Sequence, residues 1–261
     1  MKRLLLSAML SMCALPAAAA MVDKPVDWTI GNDRFTGVLV YDDTNAIKRP
    51  GLVMVPNWQG INPSAIEKAK RMAGDDYVVL IADVYGSKIR PKNDEEAGKV
   101  AEPLRGDRPL LRARIEKAVA VLKEQAGKAP VEATKIGAFG FCFGGTTALE
   151  LVRGGSELAG VVSFHGGLAT PLPAKDDAAR TPVLVLNGAD DRGISDEDIA
   201  AFEKEMDAAG ADWQFVNFSG AVHCFAEADA NNPPGCVYNE RAAKRAYRMM
   251  SDFFRERFAA K

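Results

Sequence analysis

The strongest constraint on the fold is an alternation of short, mostly apolar runs with longer amphipathic segments. Apolar runs of strand length lie at residues 51–56, 77–82, 135–139, 160–164, 182–186 and 213–218. Segments with helical spacing of apolar residues lie at 64–73, 109–126, 195–209 and 240–258, and a further helix is expected just after Cys142. Continuous apolar strands that alternate with helices are typical of a parallel sheet covered on both faces. The sequence therefore predicts one α/β domain with a mostly parallel sheet.

The start of the chain differs from the rest in composition. A positively charged beginning precedes an apolar stretch over residues 4–15, and a run of alanines ends at Ala20. This pattern is typical of a secretory signal peptide, and the apolar stretch is too short to cross a hydrocarbon core of about 30 Å. We expect residues 1–20 to be cleaved and residues 21–261 to form the folded domain. The mature protein would then be periplasmic or secreted, without a membrane attachment.

Charge and motif content exclude several classes of partner. The net charge is −2, and no basic cluster interrupts the chain, so nucleic acid is not an expected partner. The two histidines are far apart and have no metal-ligand spacing. Glycine-rich phosphate and dinucleotide fingerprints are missing as well. We therefore expect no metal and no cofactor; the sequence leaves the oligomeric state open, with a monomer favoured.

Export changes the interpretation of the cysteines. Three of them, Cys142, Cys224 and Cys236, follow the predicted signal peptide. An oxidising compartment favours pairing, and an odd number leaves one thiol free. Cys224 and Cys236 share one Pro/Gly/Asn-rich stretch and are the candidate disulfide, which leaves Cys142 free. The alternative is that both loop cysteines are unpaired.

The segment around Cys142 has the pattern of a nucleophile elbow. Gly140 and Gly144 flank Cys142 in the spacing G-x-S-x-G, with cysteine in the serine position, between a predicted strand and a predicted helix. The sharp turn requires small residues at these two places. A helix N-terminus stabilises a thiolate, and the N–H of Phe143 is placed to donate to an oxyanion. The alternative is a buried structural cysteine in a glycine-rich turn.

Two further residue types complete a hydrolytic arrangement. His223 follows the last predicted strand, and Asp190 and Asp191 follow the strand at 182–186. The order nucleophile, acid, histidine is the one that α/β-hydrolases use. A carboxylate at either aspartate would orient the imidazole and stabilise imidazolium, and spacing alone does not separate the two.

His165 lies at the same predicted sheet edge as these residues. It follows the strand at 160–164, and ligands of such sheets bind at the carboxyl ends of the strands. His165 is therefore a candidate for the substrate pocket. The alternative interpretation is a loop histidine bonded to nearby backbone.

With these residues assembled, the chain resembles the dienelactone hydrolase family over about residues 26–258. The cysteine elbow at 140–145 is the most specific part of the likeness. The segment Gly188–Asp191 resembles the family's acid loop and favours Asp191 as the acid, and Gly220–Phe225 resembles its histidine loop. The resemblance also implies that the N–H of Trp58 is the second oxyanion donor.

The sequence departs from the family's pattern at two positions. Asn57 stands where the well-known lactone hydrolases have a glutamate that holds the resting thiol, and Asn57 cannot act as a base. Glu227 stands where they have an arginine that grips the substrate carboxylate. Both changes argue against dienelactone itself as the substrate, and Asn57 becomes a candidate pocket residue.

These observations predict a hydrolase that cleaves an ester or lactone of a small molecule. Cys142, His223 and Asp191 would form the triad, and the reaction would pass through a thioester acyl-enzyme. The alternative is a catalytically silent binding protein that has kept the α/β-hydrolase fold.

Overall fold

The computed structural model describes residues 21–259, so the predicted signal peptide lies outside the described residues. The strands of the main sheet are β1 (Met21–Ile30), β2 (Asp33–Asp42), β3 (Arg49–Val55), β4 (Val78–Ile81), β5 (Val131–Phe141), β6 (Val161–Phe164), β7 (Val183–Gly188) and β8 (Trp213–Phe218). The helices are α1 (Pro63–Ala73), α2 (Asp94–Gly106), α3 (Arg108–Lys123), α4 (Phe143–Arg153), α5 (Asp196–Ala208) and α6 (Glu240–Ala259). A separate ribbon pairs β9 (Asn231–Asn232) with β10 (Cys236–Val237).

The eight strands of the main sheet lie in the order β1-β2-β4-β3-β5-β6-β7-β8. All neighbours from β4 to β8 in this order are parallel, whereas β1 and β2 form an antiparallel hairpin that joins the sheet at β4. Parallel neighbours need crossover connections, and helices supply them except between β6 and β7, where residues 165–182 contain no helix. The predicted fold class, a single α/β domain with a mostly parallel sheet, is confirmed.

Alternating side chains of the central strands supply two separate cores. In β3, Val53 and Val55 belong to the core under α2, α3, α4 and α5, while Leu52 and Met54 belong to the core under α1 and α6. All four side chains are fully buried. Burial on both faces explains why the sequence of β3 is apolar without alternation.

Helix α2 is the one helix among residues 21–259 that the periodicity analysis does not predict. Its buried face is formed by Ala97, Ala101 and Leu104, and Pro103 lies within it. Alanine gives a weak hydrophobic signal, and proline disfavours a helix interior. The sequence does contain one signal for the start of this helix, the N-cap residue Asn93. In the structure its side chain accepts a hydrogen bond from the N–H of Glu96.

The topology brings the unusual polar residues to one edge of the sheet. Asn57 follows β3, Cys142 follows β5, Asp191 follows β7 and His223 follows β8. Because these strands are parallel, their carboxyl ends meet at the same edge. Among the described residues, no helix has the length and apolar character needed to cross a membrane.

Candidate active site

Cys142 occupies the sharp turn between β5 and α4. Its backbone has φ 54° and ψ −119°, a region that residues other than glycine rarely adopt, and it forms the N-cap of α4. A Cβ atom at Gly140 would collide with the carbonyl group of Gly144, and one at Gly144 would collide with the carbonyl oxygen of Val55. The glycine spacing is therefore a steric requirement of the turn, as the elbow pattern predicts.

His223 and Asp191 are directly hydrogen-bonded. The Nδ1 atom of His223 lies 2.6 Å from Oδ2 of Asp191. Asp191 is buried, and its Oδ1 accepts a hydrogen bond of 2.9 Å from the N–H of Gly193. Asp190 is exposed. The geometry therefore separates the two aspartates that spacing left open and places Asp191 against the imidazole.

The charges of this group favour an imidazolium at His223. Burial alone would lower the pKa of His223, but hydrogen bonds to Asp191 and Cys142, together with their charges, raise it to about 10. Burial likewise opposes the ionised form of Asp191, yet the hydrogen bond and charge of His223 and the N–H of Gly193 hold the pKa of Asp191 below its usual value. Since Nδ1 faces Asp191, the other ring nitrogen of His223 is left for Cys142. The three side chains thus form one chain of contacts.

His165 lies beneath this group rather than in the cavity above it. The side chain is fully buried, and its Nδ1 accepts a hydrogen bond of 3.2 Å from the N–H of Cys142. Its ring packs edge-on against that of His223, with 5.1 Å between centroids. Burial, then the charges of His223 and Lys68, hold the pKa of His165 well below its usual value. His165 therefore supports the elbow as a neutral imidazole, which corrects its assignment to the substrate pocket.

The two residues expected to supply oxyanion donors, Phe143 and Trp58, lie at the start of α4 and in the loop after β3. Phe143 is the first residue of α4, so its N–H has no partner within the helix. Trp58 lies in the loop after β3, where the N–H groups of Gln59 and Gly60 make the turn hydrogen bonds to Asn57. The carbonyl oxygen of Trp58 accepts a hydrogen bond of 2.8 Å from the hydroxyl of Tyr85, which fixes this loop.

Glu227 and Asn57, the two departures from the family pattern, contact each other. The Nδ2 of Asn57 donates to Oε2 of Glu227 at 2.7 Å, and the same oxygen lies 2.6 Å from Nζ of Lys68. Glu227 and Lys68 are both buried. Lys68 also lies 3.3 Å from Asp229, which is more than half exposed. Glu227 thus links the histidine loop to the loop that carries Trp58. Lys68 was missed by the sequence analysis, because nothing in the pattern of α1 marks a lysine as buried.

A cavity of about 380 Å³ opens above Cys142 and His223. Asn57 and Trp58 line one part of it, and the side chains of Asp94 and Arg105 reach it from α2. The remaining lining residues are Gln59, Cys224, Glu227, Asp229, Ala230, Asn231, Asn232 and Cys236. Within residues 21–259, no cluster of three or more His, Cys, Asp or Glu side chains has the arrangement of a metal site.

The sulfur atoms of Cys224 and Cys236 lie at bonding distance in the cavity wall, with 4.9 Å between the Cα atoms. Cys142 is the free cysteine of the described residues. Its side chain is partly accessible from the cavity. This arrangement agrees with the pairing expected for an exported chain.

A nucleophile elbow at the carboxyl edge of a mostly parallel sheet, with an acid after β7 and a histidine after β8, defines an α/β-hydrolase. The model of the dienelactone hydrolase family matches residues 35–258, and the chain belongs to that family. Membership makes the chain a hydrolase of the class that acts on esters and lactones.

Two solved structures and one further sequence are similar over most of the chain. The structure of m3DLH has 36% identity and a TM-score of 0.84, covering 91% of this chain and 98% of the other. A dienelactone hydrolase-like promiscuous phosphotriesterase from metagenomic libraries has 34% identity and a TM-score of 0.84, covering 92% of this chain and 99% of the other. A probable 2-oxo-3-(5-oxofuran-2-ylidene)propanoate lactonase from Bradyrhizobium sp is 29% identical over 68% of this chain and 74% of its own length.

Proposed function

We propose that the protein hydrolyses ester or lactone bonds of small molecules with Cys142 as nucleophile, His223 as acid and base, and Asp191 as the residue that orients His223. The observation that carries this proposal is that Cys142 and His223 line the same cavity, with His223 hydrogen-bonded to the buried carboxylate of Asp191. The raised pKa of His223, about 10, keeps the imidazolium next to the sulfur at neutral pH, which favours the thiolate.

The reaction begins when the Cys142 thiolate attacks the carbonyl carbon of the bound ester. The N–H groups of Phe143 and Trp58 donate to the developing oxyanion, each contributing roughly 3 kcal/mol in comparable sites. His223 then protonates the leaving oxygen as the C–O bond breaks, and a thioester remains on Cys142. The neutral imidazole next deprotonates a water molecule, which attacks the thioester. The C–S bond then breaks, the acid is released, and the Cys142 thiolate is restored beside the imidazolium of His223.

The chemistry of the thiolate favours esters and lactones over amides. A thiolate leaves a tetrahedral intermediate more readily than an amine does, so an amide adduct would return to substrate. The leaving oxygen of an ester or lactone is protonated by His223 as the C–O bond breaks. Its departure can then compete with the departure of the thiolate, and the forward reaction proceeds. Activated esters and lactones are therefore the proposed substrate class.

Purified mature protein and its Cys142→Ala variant test this proposal with p-nitrophenyl acetate and a dienelactone in parallel. We expect hydrolysis by the wild type and a loss to background in the variant. Of the two substrates, the dienelactone is expected to be turned over more slowly, because Glu227 replaces the carboxylate-binding arginine of the family. Equal rates above background would reject Cys142 as nucleophile, and background rates for both proteins would leave the silent binding protein as the remaining interpretation.

A second candidate activity is the hydrolysis of phosphotriesters. The similarity to a promiscuous phosphotriesterase, at 34% identity and a TM-score of 0.84, favours it. A phosphoryl oxygen could take the place of the oxyanion between the N–H groups of Phe143 and Trp58. Paraoxon as substrate tests this activity: turnover that is lost in Cys142→Ala supports it, and a stoichiometric burst without turnover rejects it.

We also propose that residues 1–20 direct export and are removed. The composition of this segment supports the proposal: a positively charged start, an apolar stretch and a run of small residues that ends at Ala20. Expression of the full-length gene in a Gram-negative host followed by N-terminal sequencing of the periplasmic fraction tests it. A first residue near Met21 is expected, and an unprocessed cytoplasmic product would contradict the proposal.

A further inference from the structure

The loop that carries His223 has little regular structure to hold it. Between β8 and α6, the chain from residue 219 to residue 239 contains only the two-residue strands β9 and β10. His223 is at the beginning of this loop, and its catalytic role in the proposed function requires a fixed orientation. Precise orientation matters, because a displacement of about 1 Å can lower a catalytic rate by about 100-fold.

The Cys224–Cys236 disulfide and a backbone bridge hold this loop at the same place. Cys224 follows His223 directly and is bonded to Cys236. His223 itself forms a parallel bridge with Cys236, in which the N–H of Val237 donates to the carbonyl oxygen of His223 at 3.1 Å. The covalent bond therefore holds the partner strand of His223 in register with it.

The backbone of Cys224 makes such a restraint necessary. Its φ is 60°, in the left-handed region that residues other than glycine seldom occupy. A residue in this region persists only when its surroundings hold it there. Both sulfur atoms also belong to residues that line the cavity of Cys142 and His223, so the restraint lies within the candidate active site and not at a distant surface.

We infer that the Cys224–Cys236 disulfide is a positioning element for His223, so that hydrolysis depends on its integrity. The inference rests on the proposed function, because it assigns a role to His223 in turnover. It gives the disulfide a function other than stabilising the fold. Breaking it should lower kcat by about 10- to 100-fold and change KM little, because the cavity lining is otherwise retained.

The first experiment counts thiols and compares kinetics. Denatured, unreduced mature protein should react at one thiol, Cys142, and three reactive thiols would overturn the inference.

The kinetic comparison uses the Cys224→Ser/Cys236→Ser double variant, whose kcat should be lower than that of the wild type by about 10- to 100-fold. Should it not fold, the folded wild type is treated with tris(2-carboxyethyl)phosphine, and the same loss in kcat is expected, with recovery after reoxidation in air-saturated buffer.

A second readout separates positioning from simple stabilisation. The mature chain has only His165 and His223, so both imidazoles can be followed by NMR during a pH titration. In the variant or the reduced protein, the pKa of His223 should move from about 10 towards its usual value, because contact with Asp191 and Cys142 is loosened. An unchanged pKa and kcat in folded protein, even with a lower Tm, would overturn the inference.

The NMR titration also keeps the two proposals distinguishable. If the wild type hydrolyses none of the esters, the proposed function fails. The titration of His223 needs no turnover and still reports whether the disulfide positions the imidazole. If the wild type is active and the titration is unaffected by reduction, only the positioning role fails.

Discussion

The two histidines of the chain have opposite environments although their rings touch. His223 is held as an imidazolium between Asp191 and Cys142, whereas His165 is buried and neutral beneath them. A protonated His165 would present a donor to the N–H of Cys142 and would repel His223. In the proposed mechanism His223 exchanges protons with the substrate, while His165 supports the turn.

Asp191 is expected to set the proton affinity of His223, and its exposed neighbour supplies a matched control. Asp191→Asn should lower the pKa of His223 from about 10 and reduce kcat by about 100-fold or more, because the imidazolium loses its carboxylate. Asp190→Asn should change neither quantity. NMR titration and steady-state kinetics measure both. Equal effects of the two substitutions would contradict the assignment of Asp191.

The raised pKa of His223 also predicts a pH dependence of stability. Its folded-state pKa of about 10 lies above its usual pKa of 6.5, so the protonated imidazole stabilises the fold. This contribution is fully present below pH 6.5 and is lost as the pH rises through about 10. The free energy of unfolding of the wild type, from urea titrations, should approach that of His223→Gln across this range. A constant difference between them would contradict the ion pair.

Sequence patterns could identify the catalytic candidates at this scale because each has a local signature. The elbow glycines follow from the space that the turn leaves, and His223 stands out because the chain has only two histidines. The choice between Asp190 and Asp191 required the structure or a family likeness. Adjacent residues of one loop have the same spacing to everything else, and only their orientation differs.

At the level of single elements, the junction of β5 and α4 has no room for a Cβ atom at either of its flanking glycines, Gly140 and Gly144. Helix α4 begins at the turn and passes so close to β3 that Gly144 lies against the carbonyl groups of Val55 and Pro56. Both carbonyl groups belong to the backbone, so they cannot make room for a methyl group by a change of rotamer, as a side chain could. This approach places the first turn of α4, with the N–H of Phe143, next to the loop that carries Trp58.

Gly144→Ala should therefore destabilise the protein by about 3 kcal/mol, because the added methyl group overpacks a backbone contact. Gly106→Ala is the control, since the corresponding position at the end of α2 has no heavy atom within 4 Å. That control should be neutral or slightly stabilising, as alanine favours a helix over glycine. Thermal unfolding measures both. A Gly144→Ala variant as stable as the control would contradict the close approach.

The elements also differ in how well the sequence predicts them. Strands β3 to β8 and helices α1, α3, α5 and α6 match the apolar patterns to within a few residues. Helix α2 is not predicted by the apolar pattern, because its buried face is formed mainly by alanines. The omission affects the site, since Asp94 and Arg105 of this helix line the cavity.

Across the whole molecule, the loops of the site are joined by contacts between distant parts of the sequence. Glu227 contacts Lys68 and Asn57, from which it is separated by 159 and 170 residues. No local pattern could predict these pairs, because each residue taken alone resembles a solvated polar side chain. The pair Lys68–Glu227 connects α1 to the histidine loop, and Glu227 also lines the cavity.

Removal of this buried lysine is expected to affect both stability and the site. Lys68→Met should cost about 3–5 kcal/mol, because it leaves the buried carboxylate of Glu227 without its charge partner. Lys99→Met is the control; it breaks the exposed Lys99–Glu95 pair, which contributes about 0.5 kcal/mol or less. Urea unfolding measures both. Equal losses would show that the Lys68–Glu227 pair is not the buried contact described above.

The central claim is that catalysis passes through a thioester on Cys142, and acid quenching followed by intact-protein mass spectrometry tests it most directly. After brief mixing with p-nitrophenyl acetate, the wild type should gain the mass of one acetyl group, and peptide mapping should place it on Cys142. Cys142→Ala should gain none and should not hydrolyse the ester. An acetyl group on another residue, or hydrolysis that continues in Cys142→Ala, would contradict the account.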